Sequence, residues 1–157
     1  GGGGRKNVGP PPYRVSLPVP ANPRLVQHIH SSITSSLSPS SCIIGTSATT
    51  DSFYSSQGRS DSNFDDCNKD LISKLQGVGG GFDTLEMESF HLLDVSRCAL
   101  NPNVIAAASA VIIVANRVDG KVAETSRLSE VEGKAGAGIL RAVASVDLGE
   151  IFEGVDI

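Results

Sequence analysis

Three short stretches of the chain hold side chains whose types and spacing could do chemistry. Residues 45–59 bring together Phe53, Gln57 and Arg59. A phenyl ring offers a flat apolar face, an amide both donates and accepts, and a guanidinium presents a rigid fork of donors. The second stretch, Leu85-Glu86-Met87-Glu88-Ser89, sets two carboxylates around a thioether at the head of an expected helix. A carboxylate there is also favoured simply by the helix dipole. The third, Val111-Ile112-Ile113-Val114-Ala115-Asn116-Arg117, is an apolar run that opens onto an amide and a guanidinium.

Other candidates carry less. Asp61-x-Asn63-x-Asp65 begins like a calcium loop, but Asp66 stands where glycine is needed and Ile72 where glutamate is needed. Gly77 to Gly81 follows a helix rather than a strand, so it reads as a connector and not a phosphate cradle. Gly45-x-Ser47-x-Thr49 lacks the second glycine of a nucleophile elbow. His28 and His30 fall on different faces of a helix and are expected in solvent, and His91 is expected in a structural role. Cys42, Cys67 and Cys98 form no CxxC pair, so no metal ligand set is expected.

The elements that must position these groups follow from local pattern. Residues 1–22 are rich in glycine and proline and read as an extended tail or loop. Asn22-Pro23 reads as an N-cap followed by proline at the first helical position, opening a helix to about Ser36 with Leu25, Val26, Ile29 and Ile33 at helical spacing. Cys42 to Thr46 reads as a buried strand, and Thr49 to Ser62 as a polar loop. A second helix is expected over Phe64 to Gln76, a short strand over Thr84 to Met87, and a third helix over Glu88 to Leu100. Val111 to Val114 is β-branched and reads as a strand buried on both faces. A last helix, Leu128 to Val146, puts Val131, Ile139, Leu140 and Val143 on one side and needs close packing to offset Gly133, Gly136 and Gly138. Strands alternating with helices predict an α/β domain with a largely parallel sheet over 23–148, followed by a C-terminal tail over 149–157.

Composition sets the outer limits. With 157 residues the chain is long enough for one domain. A 39% apolar content and 19% charged content predict a packed core, and the scarcity of aromatics leaves that core to aliphatic residues and alanine. The net charge of −4, with no basic run, argues against nucleic acid as a partner. The longest apolar stretch, residues 104–115, is far short of the roughly 20 residues of a membrane span. The odd cysteine count and the absence of a signal-peptide pattern at Gly1 predict a cytoplasmic protein.

Taken together, in this order and separation, the three stretches resemble the nucleoside phosphorylase family, specifically its uridine phosphorylase branch. The resemblance runs from about Val15 to Ala144. It implies phosphorolysis of uridine to uracil and ribose 1-phosphate, with inorganic phosphate as co-substrate and neither metal nor organic cofactor. It further implies that Phe53, Gln57 and Arg59 bind uracil, with Gln57 and Arg59 stabilising the departing base. Glu88 would bind ribose hydroxyls, Met87 would pack against the sugar, and Glu86 would contribute through backbone and position. Purine-cleaving relatives carry a Ser-Asp pair where this chain has Asn116-Arg117, which places Arg117 in the pyrimidine site. Asp119 is set aside, because Val118-Asp119-Gly120 reads as a turn. A homo-oligomer is implied as well. Arg5 and Arg14 lie in no recognisable phosphate motif, so the chain is expected to be the C-terminal portion of a longer protein. Two alternatives stay open: a purine phosphorylase or nucleosidase of the same fold, and a truncated nucleoside-binding fragment without catalysis.

Overall fold

The computed structural model describes residues 11–101, 105–117 and 119–153. The first helix, α1 (Pro23–Thr34), starts where Asn22 and Pro23 predict. The Asn22 side chain accepts from the Leu25 amide at 2.9 Å, and its backbone amide donates to the Ala107 carbonyl at 2.9 Å. One residue thus caps the helix and ties it to a distant segment. The long helix α4 (Thr125–Ser145) packs along α1. Ile33, Leu37 and Ala135 form the buried centre of that contact, with Ile29, Cys42, Val131 and Ile139 around it. Gly138 lets the two backbones close: a Cβ there would lie 2.8 Å from the Cα of Ile33. Ser32 Oγ donates to the Gly138 carbonyl at 2.7 Å across the same contact. Gly133 and Gly136 face open space, so the close-packing argument holds for one of the three glycines.

Between these helices runs a βαβ unit. Strand β1 (Ser47–Thr49) pairs in parallel with β2 (Thr84–Glu86), in the register Ser47 to Thr84, Ala48 to Leu85 and Thr49 to Glu86. The crossover holds a short 3-10 turn at Ser55–Gln57 and helix α2 (Leu71–Gln76). Helix α3 (Ser89–Arg97) follows β2 directly, and a short α5 (Leu148–Phe152) lies in the segment expected as a tail. The expected α/β class with a small parallel sheet flanked by helices is what the chain forms.

Several elements differ from expectation, each for a physical reason. Cys42 to Thr46 is not a strand. The Asp83 carboxylate accepts from the Thr46 amide at 2.8 Å, taking the place a strand partner would fill. Beyond that point Ile43 is 73% exposed and Ile44 is also exposed. Val111 to Val114 likewise joins no ladder and is exposed, with only its end paired, through an Ala115–Val122 bridge. β-branched composition supplies the tendency to be buried, but a strand exists only where a neighbour pairs with it. Residue 104, at the start of that apolar run, lies outside the described residues, as do 1–10, including Arg5, and 154–157.

The second helix covers only the last part of the expected span. Asp61 and Asp65 turn their carboxylates back onto the amides of Asn63 and Cys67, holding residues 61–67 in turns. Those bonds also account for the calcium-like spacing. Leu140 and Val143 are exposed although the helix they sit on is correctly expected, because α1 covers a stripe that ends at Ile139 and Ala142. Leu92 and Val95 on α3 face outward as well. His28 and His30, expected in solvent, are half-buried: His28 Nε2 donates to the Ala142 carbonyl at 3.0 Å and His30 Nε2 to the Cys42 carbonyl at 3.3 Å. His91 is exposed and meets the Phe90 ring edge-on.

Candidate active site

Parallel strands end on the same side, and the crevice at their carboxyl ends is where open α/β sheets bind ligands. In this chain, β1 runs into the loop of residues 50–62 and β2 into Met87, Glu88 and α3. The two exits are fastened together. The Thr50 amide donates to the Glu86 carbonyl at 2.9 Å, extending the ladder by one rung. Thr49 Oγ1 donates to the Glu86 carboxylate and accepts from the Phe90 amide at 2.8 Å.

Glu86 is the hub of this end of the sheet. Its Oε2 accepts from the Glu88 amide at 2.7 Å and the Ser89 amide at 2.6 Å, filling donors that the first turn of α3 leaves open. Partial burial alone would raise the pKa of this carboxyl. The bonds from Thr49, Ser89 and Glu88 outweigh that and hold it below its ordinary value. Glu86 therefore stands ionised, with its oxygens directed into the protein. Glu88 is exposed beside it, Met87 is half-buried, and the Met87 amide donates to Glu88 Oε2 at 3.1 Å. The carboxylate free to meet a ligand at this end is Glu88.

The loop brings the second group together. Gln57 is only 6% exposed. Its Oε1 accepts from Arg59 Nη1 at 2.8 Å and from Arg117 Nη2 at 2.6 Å. Two guanidiniums on one amide oxygen settle which way the amide points, since the NH₂ end would face both cations. Sequence pattern suggested that Gln57 would both donate and accept toward a ligand; in the fold its oxygen is taken by the arginines, and the NH₂ is the end left to donate. The Arg59 guanidinium also donates to the Phe53 carbonyl and lies 3.6 Å from the centroid of the Phe53 ring. Phe53 is 51% exposed, with Tyr54 edge-on to it at 5.2 Å. Burial and then the charge of Arg59 lower the pKa of Arg117, the expected result of holding two cations close.

Arg117 reaches this group from a segment 60 residues further along the chain than Gln57. The Asn116 amide donates to the Lys121 carbonyl at 2.8 Å and the Ala123 amide to the Val114 carbonyl at 2.9 Å, so residues 114–116 run back to back with residues 121–123. Gly120, with φ at +69°, makes the turn, and Asp119 caps the Lys121 amide at 3.0 Å. Asp119 serves the turn, as expected; Val118 lies outside the described residues.

The residue that pattern reading missed is Asn68. It is 5% exposed, and its Nδ2 donates to the Ser55 carbonyl at 3.0 Å and the Arg59 carbonyl at 2.6 Å. Only the fold brings its amide to carbonyls 13 and 9 residues away. Among the described residues, no group of three or more His, Cys, Asp or Glu is placed to hold a metal ion.

A family model described as the phosphorylase superfamily matches residues 2–146. The chain belongs to that superfamily. A solved structure from work on two uridine phosphorylases of the oomycete Phytophthora capsici shares 35% identity with it at a TM-score of 0.75. The match covers 86% of this chain and 50% of that one, so this phosphorylase-superfamily chain spans half the length of the solved relative. Among curated proteins none matches.

Proposed function

We propose that the protein carrying this chain catalyses phosphorolysis of uridine to uracil and ribose 1-phosphate. The observation that carries the reading is the buried Gln57 amide gripped by Arg59 and Arg117 beside the Phe53 face, one strand away from Glu86-Met87-Glu88. Likeness to a uridine phosphorylase supports it independently.

The chemistry fits these groups. As the glycosidic bond lengthens, positive charge grows on the ribose and negative charge on the carbonyl oxygens and ring nitrogens of the leaving base. Donors fixed in advance stabilise that anion, and the Arg59 fork and the Gln57 NH₂ are such donors. Phe53 covers the ring face, and Arg117 holds Gln57 in orientation. Glu88 accepts from ribose hydroxyls while Met87 packs against the sugar. Inorganic phosphate attacks as nucleophile, and positioning with charge stabilisation suffices without a further cofactor. A homo-oligomer in the cytoplasm completes the proposal.

The test is release of uracil from uridine by the intact protein, with and without phosphate. Phosphate-dependent release is expected. Release without phosphate would indicate a nucleosidase, release of a purine base the purine branch, and binding without turnover a nucleoside-binding protein; each would overturn the proposal.

A further inference from the structure

We propose that Asn68 is a positioning residue for the base subsite, acting on ligand only through the loop that carries Gln57 and Arg59; its functional arm rests on the reading above. The loop has little regular structure of its own, a single 3-10 turn at Ser55–Gln57. Its own backbone bonds are few: the Gln57 and Arg59 amides both donate to the Tyr54 carbonyl, at 3.3 and 3.0 Å, and the Gly58 amide to the Ser55 carbonyl at 3.1 Å. Ser52 Oγ accepts from the Ser56 amide at 3.0 Å and secures the start of the turn; what the loop's own bonds leave open is the spacing of the Ser55 and Arg59 carbonyls.

Asn68 supplies what is missing. Its two Nδ2 protons go to the carbonyls of Ser55 and Arg59, which flank the turn on either side of Gln57. One planar amide thereby sets the distance and angle between the entry and exit of the turn. The clamp is anchored in turn, because the Leu71 amide donates to the Asn68 carbonyl at 3.0 Å where α2 begins. Contact at Gly58 adds an independent restraint. Gly58 has φ at +70°, and a Cβ there would lie 2.8 Å from Cγ1 of Ile72 on α2, so the turn sits directly on that helix. Both bonds of the Asn68 side-chain amide go to the loop that carries Gln57 and Arg59, so its effect is expected on the base rather than on the Glu86–Glu88 end.

Asn68→Asp keeps the shape and replaces both donors with acceptors facing two carbonyls; Asn68→Ala removes the group without adding charge. In the intact protein, hydrogen exchange at the Gln57, Gly58 and Arg59 amides is expected to accelerate at least about tenfold in both variants, with α1 and α4 unchanged. The inhibition constant for uracil is expected to rise roughly 10–100-fold, the usual result of misplacing binding groups by a fraction of an ångström to an ångström. The KM for ribose 1-phosphate in the reverse reaction is expected to stay within about twofold, which a loss of overall structure would not allow. Unchanged exchange at residues 57–59, or equal losses for uracil and ribose 1-phosphate, would overturn the proposal. Should the unaltered protein fail to bind uracil, the functional reading falls by itself, and the exchange measurement still decides whether Asn68 holds the turn.

Discussion

Removing Arg59 separates catalysis from stability more cleanly than any other change in this site. In Arg59→Ala, Gln57 keeps one partner, because Arg117 Nη2 remains 2.6 Å from its oxygen. No buried acceptor is orphaned, and the pairing of two cations disappears. The folding cost is limited to two hydrogen bonds, to the Gln57 oxygen and the Phe53 carbonyl, and a half-exposed cation–π contact over Phe53, together about 2–3 kcal/mol. The catalytic cost is larger. Deleting one donor aimed at developing charge costs about 2.7–4 kcal/mol of transition-state stabilisation, a factor of roughly 10²–10³ in kcat. KM for uridine should move little, because Phe53 and the Arg117-held Gln57 still receive the ring. Arg59→Lys should recover less than about tenfold, since a point charge on a flexible stem does not reproduce the fork. The assay is uracil release at saturating phosphate, with circular dichroism and thermal melting alongside. A loss in kcat/KM under threefold with the fold intact would remove Arg59 from the site.

Further outcomes follow from the same geometry. Glu88→Gln is expected to slow uridine turnover and narrow the preference for uridine over 2′-deoxyuridine, because a weaker acceptor reads the hydroxyl less strongly; an unchanged ratio of kcat/KM for the two nucleosides would contradict the assignment. Glu86 titrates below its ordinary value in the fold, so its contribution to stability is complete above about pH 4.3 and is lost as pH falls through the lower folded value. Melting curves from pH 5 to 3 should therefore fall more steeply for the native chain than for Glu86→Gln, and parallel curves would refute the role of Glu86 as the cap of α3. On α4 the sign depends on position. Gly138→Ala should destabilise by about 1–2 kcal/mol, since overpacking against Ile33 exceeds the gain in helix propensity. Gly136→Ala, facing open space, should stabilise by up to about 1 kcal/mol, and the same sign for both would show that Gly138 is not at a close contact.

What pattern reading recovers in this chain is local or linear. The Asn22-Pro23 helix start, the short strand ending at Glu86, the turn at Gly120 and the grouping of Gln57 with Arg59 all depend on neighbours in sequence. What it misreads depends on partners. Cys42 to Thr46 has the composition of a strand, but the Asp83 carboxylate takes the Thr46 amide and the β1–β2 register runs over residues 47–49. Leu140 and Val143 share a helical face with Ile139 in projection, yet α1 is too narrow to cover them. The same division runs through the site. The family resemblance put Arg117 among the expected site residues, but its seat on the Gln57 oxygen and the clamp by Asn68 arise from contacts across 60 residues in one case and 9–13 in the other. No periodicity encodes such contacts.

The packing of α1 on α4 has a consequence for synthesis. Ser32 and Gly138, which touch across that contact, are separated by 106 residues, and the whole βαβ unit lies between them. A ribosome adding about 5–20 residues per second needs several seconds to deliver α4 after α1 has emerged. Throughout that interval the face of α1 that holds Ile29 and Ile33 lacks its α4 partners Val131, Ala135 and Ile139. The apolar face of α1 therefore has to wait, without its α4 partners, until most of the chain has been made. The contact between α1 and α4 closes only when α4 arrives.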